Sequence, residues 1–160
     1  MDFKHRHAVG AFTLVEILIV VAIVGILAAI AIPLLADQSQ KAKETAAKQN
    51  LKILRDAIER YAAQHGGTPP GFLNGDMSKT PLSTTFTQQL CSASNNLGPY
   101  LLAIPKNPFN GKNTIKVIAS TATLSASATG SFGWIYKPLT KTIKIDYPDT
   151  DSENVRYYDY

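Results

Sequence analysis

The chain has 160 residues, 45% of them hydrophobic and 18% charged, with 16 Lys and Arg against 12 Asp and Glu. That length bounds it to about one domain, and a net charge of +4, evenly spread, is too mild to point to nucleic acid as a partner. A lone Cys91 excludes an intrachain disulfide framework and any multi-thiolate metal site, and His5, His7 and His65 are the whole histidine supply.

The chain is bipartite, an oily block followed by a polar remainder. From Ile17 to Ala36 it reads ILIVVAIVGILAAIAIPLLA without a charge, which as a helix makes roughly 30 Å, the thickness of a bilayer core. A cleaved secretory signal and a buried core helix are the competing readings. Signal cores run to roughly 15 residues and end at a small-x-small site, whereas here the block runs on into Asp37 to Ala63, which reads as the same helix changing solvent. A membrane span is therefore predicted. Lys4 and Arg6 precede it, so the N-terminus is expected to be cytoplasmic and everything after Asp37 exported.

Two residues break the apolar rule. Glu16 lies at the lip of the span, where an ionised carboxylate costs up to about 3 kcal/mol at the bilayer centre and less near the interface. Either it reaches the headgroups and does nothing further, or it has a partner. Pro33 removes a helix hydrogen bond and clashes one turn back, so Ala29 to Pro33 is expected to kink or melt locally. Gly25 and the alanines around it permit close lateral helix contact.

The stretch Gly10-Ala11-Phe12-Thr13-Leu14-Val15-Glu16, with its basic leader and the charge-free run holding Pro33, resembles the class III signal of type IV pilins and type II secretion pseudopilins. The resemblance covers about residues 4 to 50. It implies that a prepilin peptidase removes the leader between Ala11 and Phe12, that Phe12 is N-methylated, and that Glu16 and Pro33 serve assembly. The family usually has Gly before the Phe; here Gly10 stands one residue early. Helical geometry favours the same cut, because residues four apart, Phe12 and Glu16, lie about 40° from one another, against about 140° for a start at Ala11.

Beyond the span, Leu51, Leu54, Ile58, Tyr61 and Ala62 recur at helical steps as an apolar stripe. Lys48, Lys52, Arg55, Asp56, Glu59 and Arg60 run around the other side as a solvated face. Gly66-Gly67 and Pro69-Pro70 stop the helix, giving about 80 Å from Phe12 to about His65 if it is unbroken. Residues 68–113 read as a turn-rich connector with a short helix near Phe86 to Ala93. Four strands are predicted, Thr114 to Ala119, Thr121 to Ala126, Ser131 to Tyr136 and Thr142 to Tyr147, the last two joined as a hairpin through Pro138 to Lys141. Their apolar face is expected on the Leu51 to Ala62 stripe. LAIPKNPFNG, residues 102–111, followed by GWIYKPLTKTIKI, resembles the Pro-rich loop and terminal hairpin of major pseudopilins.

Catalytic chemistry is not legible. His65 and Cys91 give no triad, zinc set or phosphate loop. His65 reads as a helix C-terminal residue beside Gly66, and Cys91 as a small buried or partly exposed thiol. The tail holds Asp146, Asp149, Asp151, Glu153 and Asp159 against Arg156. It reads as a solvated acidic tail, with calcium, a ligand of carboxylate oxygens, as the alternative that the resemblance to major pseudopilins suggests.

The expectation is an α+β, pilin-like chain in which a long N-terminal transmembrane and amphipathic helix packs on a small antiparallel β-sheet. Residues 1–11 form the cleaved leader, 12–36 the transmembrane assembly helix, 37–67 the amphipathic continuation and 68–160 the connector and sheet. The resemblance implies a non-enzymatic subunit of a type II secretion pseudopilus, held in the bacterial inner membrane with its head in the periplasm. Its partners would be lipid, the peptidase and N-methyltransferase, further copies, other pseudopilins and the assembly platform, without a cofactor. A type IV pilus subunit and a non-polymerising signal-anchored domain are the alternatives.

Overall fold

The computed structural model describes residues 12–94, 96–124 and 127–160, so the predicted leader lies outside the described residues. The chain divides into two compact units, with the boundary between Lys41 and Ala42. Helix α1, Leu14–Gln64, contributes residues to both.

In the first unit α1 is rich in Ile and Val, whose branched side chains favour strands in water. A helix is nevertheless the structure that satisfies its backbone without outside partners, which is what lipid demands of a single segment. From Phe12 to Leu35 every large apolar side chain described is more than half exposed. The helical assignment runs unbroken through Pro33. Of the two outcomes expected there, local melting does not occur, because one lost hydrogen bond is held on both sides by an uninterrupted apolar helix.

In the second unit the predicted stripe is the spine of the core. Leu51, Leu54, Ile58, Tyr61 and Ala62 are all buried, joined by Ala47 and Ala57. The helix stops where expected. Gly66 and Gly67 take positive φ, and the Gly67 N–H returns to the Ala62 carbonyl at 2.8 Å, a 6→1 termination. Helix α2, Ser83–Cys91, starts three residues before its predicted position and ends two before it. Leu90 closes it, since its carbonyl accepts the N–H groups of both Tyr100 and Leu101 as the chain returns.

The sheet has three strands in the order β1, Ile115–Val117, then β2, Trp134–Lys137, then β3, Thr142–Ile145. The β2–β3 hairpin forms as predicted, with Trp134 opposite Ile145 and Tyr136 opposite Ile143. Its turn is Pro138–Thr140 closed by left-handed Lys141. The wholly antiparallel sheet is corrected: β1 and β2 are parallel, Ile115 beside Trp134. The cause lies between them. Thr121 to Leu124, predicted as strand, are turn and irregular chain, because this Ser/Thr/Ala-rich segment offers only Leu124 as a large apolar residue to seat on a sheet. Without that reversal the chain crosses back to the end where β1 began, as a parallel pair requires.

Strand alternation divides the side chains. Trp134, Tyr136, Ile143 and Ile145 enter the core with the α1 stripe, while Ile135 joins Ile118 and Tyr158 on the opposite face. Phe132, predicted within a strand, precedes β2 and is half-buried. Gly133 marks a close approach of two backbones, since a Cβ there would stand 2.2 Å from the Lys112 carbonyl oxygen.

Candidate assembly site

Thr13 immediately precedes α1, and its Oγ1 accepts the backbone N–H of Glu16 at 3.2 Å. This is the first half of a Thr-x-x-Glu capping box, which satisfies a donor that every helix start leaves open. Glu16 thus sits in the first turn, at the positive end of the helix dipole. It is exposed, and among the described residues no cation pairs with it. Phe12 is 75% exposed and precedes the first helical residue. The helical-wheel offset expected between Phe12 and Glu16 is therefore not realised here, and the predicted cut before Phe12 is left to the motif. Ala11, the other side of that cut, lies outside the described residues, and Pro33 lies well inside α1. Thr13 is a residue that the sequence reading does not single out; its spacing to Glu16 is the signal that finds it.

The head is braced by polar side chains from the Pro-rich loop. Asn107 Nδ2 donates to the Gly133 carbonyl at 3.0 Å, and Asn110 Nδ2 donates to the carbonyls of Phe132 and Asp146 at 2.8 and 3.1 Å. The Trp134 indole N–H donates to the Pro105 carbonyl at 2.9 Å. The loop and hairpin picked out by resemblance are therefore one structural unit.

Asp146 is fully buried, against the outward position that alternation gives it. Its Oδ1 accepts the N–H groups of Thr129 and Gly130 at 2.6 and 3.0 Å, and its Oδ2 that of Phe132 at 2.8 Å. Burial alone pushes this carboxyl up, but the N–H donors, Phe132 foremost, outweigh it and hold the group below its ordinary range.

The acidic tail folds onto the head through buried Tyr157 and Tyr158, while Asp149, Glu153 and Asp159 stay exposed to solvent as expected and Asp146 departs from that reading. Asp151 accepts the N–H groups of Glu153 and Val155, both at 2.9 Å, and the Tyr160 hydroxyl at 2.6 Å. Asp159 pairs with Arg156 at 2.7 Å and Lys144 at 3.5 Å. Carboxylates committed to N–H, O–H and cationic donors do not fit a calcium ion, and among the described residues no three His, Cys, Asp or Glu side chains group to hold a metal.

His65 closes α1 as predicted in place. Its Nδ1 donates to the Tyr61 carbonyl at 2.8 Å, and its ring stacks on that of Tyr61 with centroids 3.9 Å apart. Cys91 is half-buried, and burial pushes its thiol up, away from the reactive thiolate.

An apolar helix with a capped, acidic start, followed by a small α+β head, defines the layout of a helix-anchored subunit. Residues 6–32 match the family described as the prokaryotic N-terminal methylation motif. The type IV major alpha-pilin of Moraxella bovis is 31% identical over 147 residues, 91% of this chain and 82% of that protein. The type II secretion system core protein G of Pseudomonas aeruginosa is 38% identical over 64 residues, 40% of this chain, and the fimbrial protein EcpB of Eikenella corrodens 48% over 58 residues, 36% of this chain. The chain spans only 45% and 36% of the length of those last two relatives. No solved structure matches. The chain belongs to the type IV pilin family, whose relatives here include a secretion-system core protein. The apolar helix and the methylation motif fit a membrane-anchored pilin-like protein.

Proposed function

We propose that the chain is a structural subunit of a helical fibre. It is stored in the bacterial inner membrane with its N-terminus cytoplasmic and its head periplasmic, cut before Phe12 by a prepilin peptidase, N-methylated there, and drawn into the fibre. The observation that carries this reading is the first half of α1: the large apolar side chains described from Phe12 to Leu35 are all exposed, opened by a single carboxylate, Glu16. Such a surface needs lipid first and other copies afterwards.

The fibre we favour is a type II secretion pseudopilus, with other pseudopilins and the inner-membrane platform as partners. The relative named core protein G supports it, as does the docking of the Pro-rich loop on the terminal hairpin. A type IV pilus is the second reading, favoured by the Moraxella pilin, which aligns over nearly the whole chain. Deleting the gene and assaying both outputs decides between them. Loss of folded proteins from the medium with surface pili intact is the expected result; loss of surface pili with secretion intact would favour the second reading. If neither changes and no fibre holds the chain, the signal-anchored alternative replaces both. Intact-mass analysis is expected to find a chain starting at N-methyl-Phe12; a start at Ala11 would overturn the register.

A further inference from the structure

A cavity of about 650 Å³ opens where the C-terminal end of α1, the loop after it and α2 converge, within the size range of small-molecule sites. Its walls are cross-braced. Gln89 Oε1 accepts the Gly71 N–H at 2.7 Å and Gln89 Nε2 donates to the Phe72 carbonyl at 2.9 Å, tying the loop to α2. The Tyr100 hydroxyl donates to Gln64 Oε1 at 2.6 Å, and the half-buried His65 ring is backed by the buried Tyr61 and Tyr100, with Tyr61 stacked on His65 at 3.9 Å and Tyr100 edge-on to Tyr61 at 5.5 Å. With His65 Nδ1 donating to the Tyr61 carbonyl, Nε2 is the ring nitrogen left for a ligand hydroxyl. These braces leave Thr68, Asn74, Gln88, Ser92 and Ser94 in the lining with side chains that bond to no described residue.

The lining holds no Asp, Glu, Lys or Arg. That disfavours phosphates, carboxylates and metal ions, each of which needs charged or multiply coordinated partners. Amide and hydroxyl groups beside the half-buried His65 ring and the half-exposed Leu73 instead suit a ligand with alternating hydroxyls and C–H faces. We propose that this cavity binds a neutral saccharide of one or two rings. The inference is independent of which fibre the subunit enters.

The test is a glycan array of neutral and sialylated oligosaccharides probed with the full chain in a detergent without a sugar headgroup, followed by saturation-transfer NMR on any hit. Neutral saccharides are expected to be retained. Gln88→Ala and Asn74→Gly, the second keeping the positive φ of Asn74, are each expected to weaken binding at least fivefold with unchanged circular dichroism. No binding of any neutral glycan at millimolar concentration, a preference for sialylated glycans, or binding indifferent to both variants would overturn the proposal.

Discussion

Asp146 shows how a single buried charge is kept in a fold this small. Its three backbone N–H partners lie within residues 129–132, so one carboxylate sets the path of the chain entering β2. Asn at this position keeps one acceptor but turns an NH₂ toward a donor, leaving a buried N–H unpaired, which costs about 1–3 kcal/mol. Asp146→Asn is thus expected to lower stability by that amount at neutral pH. The pH dependence has a definite sign. The folded carboxyl lies below its ordinary value, so its contribution is complete above the usual aspartate range, near pH 3.9, and is lost as pH falls through the folded value. Denaturation followed through Trp134, the single and fully buried tryptophan, should show a smaller acid loss in the variant than in the wild type. Glu16 is the opposite case, exposed and paired with no cation among the described residues. Packed among apolar helices it would be a desolvated charge costing several kcal/mol unless paired, and the processed amine of a neighbouring copy is the pairing we propose. Glu16→Leu should leave insertion intact and strongly reduce sheared-fibre yield, with Glu16→Asp between; wild-type yield from Glu16→Leu would remove the carboxylate from assembly.

At the scale of elements, what was legible followed physical period. The α1 stripe, its glycine stop and the β2–β3 hairpin are all visible because helix spacing, positive-φ glycines and strand alternation are local signals. The parallel partner of β2 was not, since which strand neighbours which depends on a crossover whose residues carry no period. Nor was the burial of Asp146, because its donors lie on a loop distant in sequence. For the stripe, Leu54 is the sharpest probe, fully buried at the centre of the core. Leu54→Ala should cost about 2–5 kcal/mol, read from the same Trp134 transition, whereas Lys52→Ala on the exposed side should cost little.

For the whole molecule, the contact division falls after Lys41, four residues beyond Asp37, where the sequence suggests a change of solvent. The second unit owns its core, with α1 residues from Ala47 onward, one face of the sheet and Tyr157 in one cluster and Ile118, Ile135 and Tyr158 in a smaller one on the other face. A chain beginning at Gln38 is therefore expected to be soluble and monomeric by analytical ultracentrifugation. Fibres from that shortened chain would move the assembly surface into the head. At the N-terminus the sequence offers Phe12 and Glu16 as candidates but not the helix cap, Thr13, which the contact with the Glu16 N–H reveals.

The parallel pairing of β1 with β2 also makes the head a carrier. Sixteen residues separate Val117 from Trp134, and Thr121 to Thr123 within them are exposed and bear no ladder bond. Doubling such a crossover adds only about 0.6 kcal/mol of closure entropy, provided the addition stops short of Thr129, where the Asp146 anchor begins. An epitope inserted between Ala122 and Thr123 should then be recognised by its antibody on the native head with little change in the Trp134 transition, and a subunit that enters a fibre would repeat that epitope once per copy along its length.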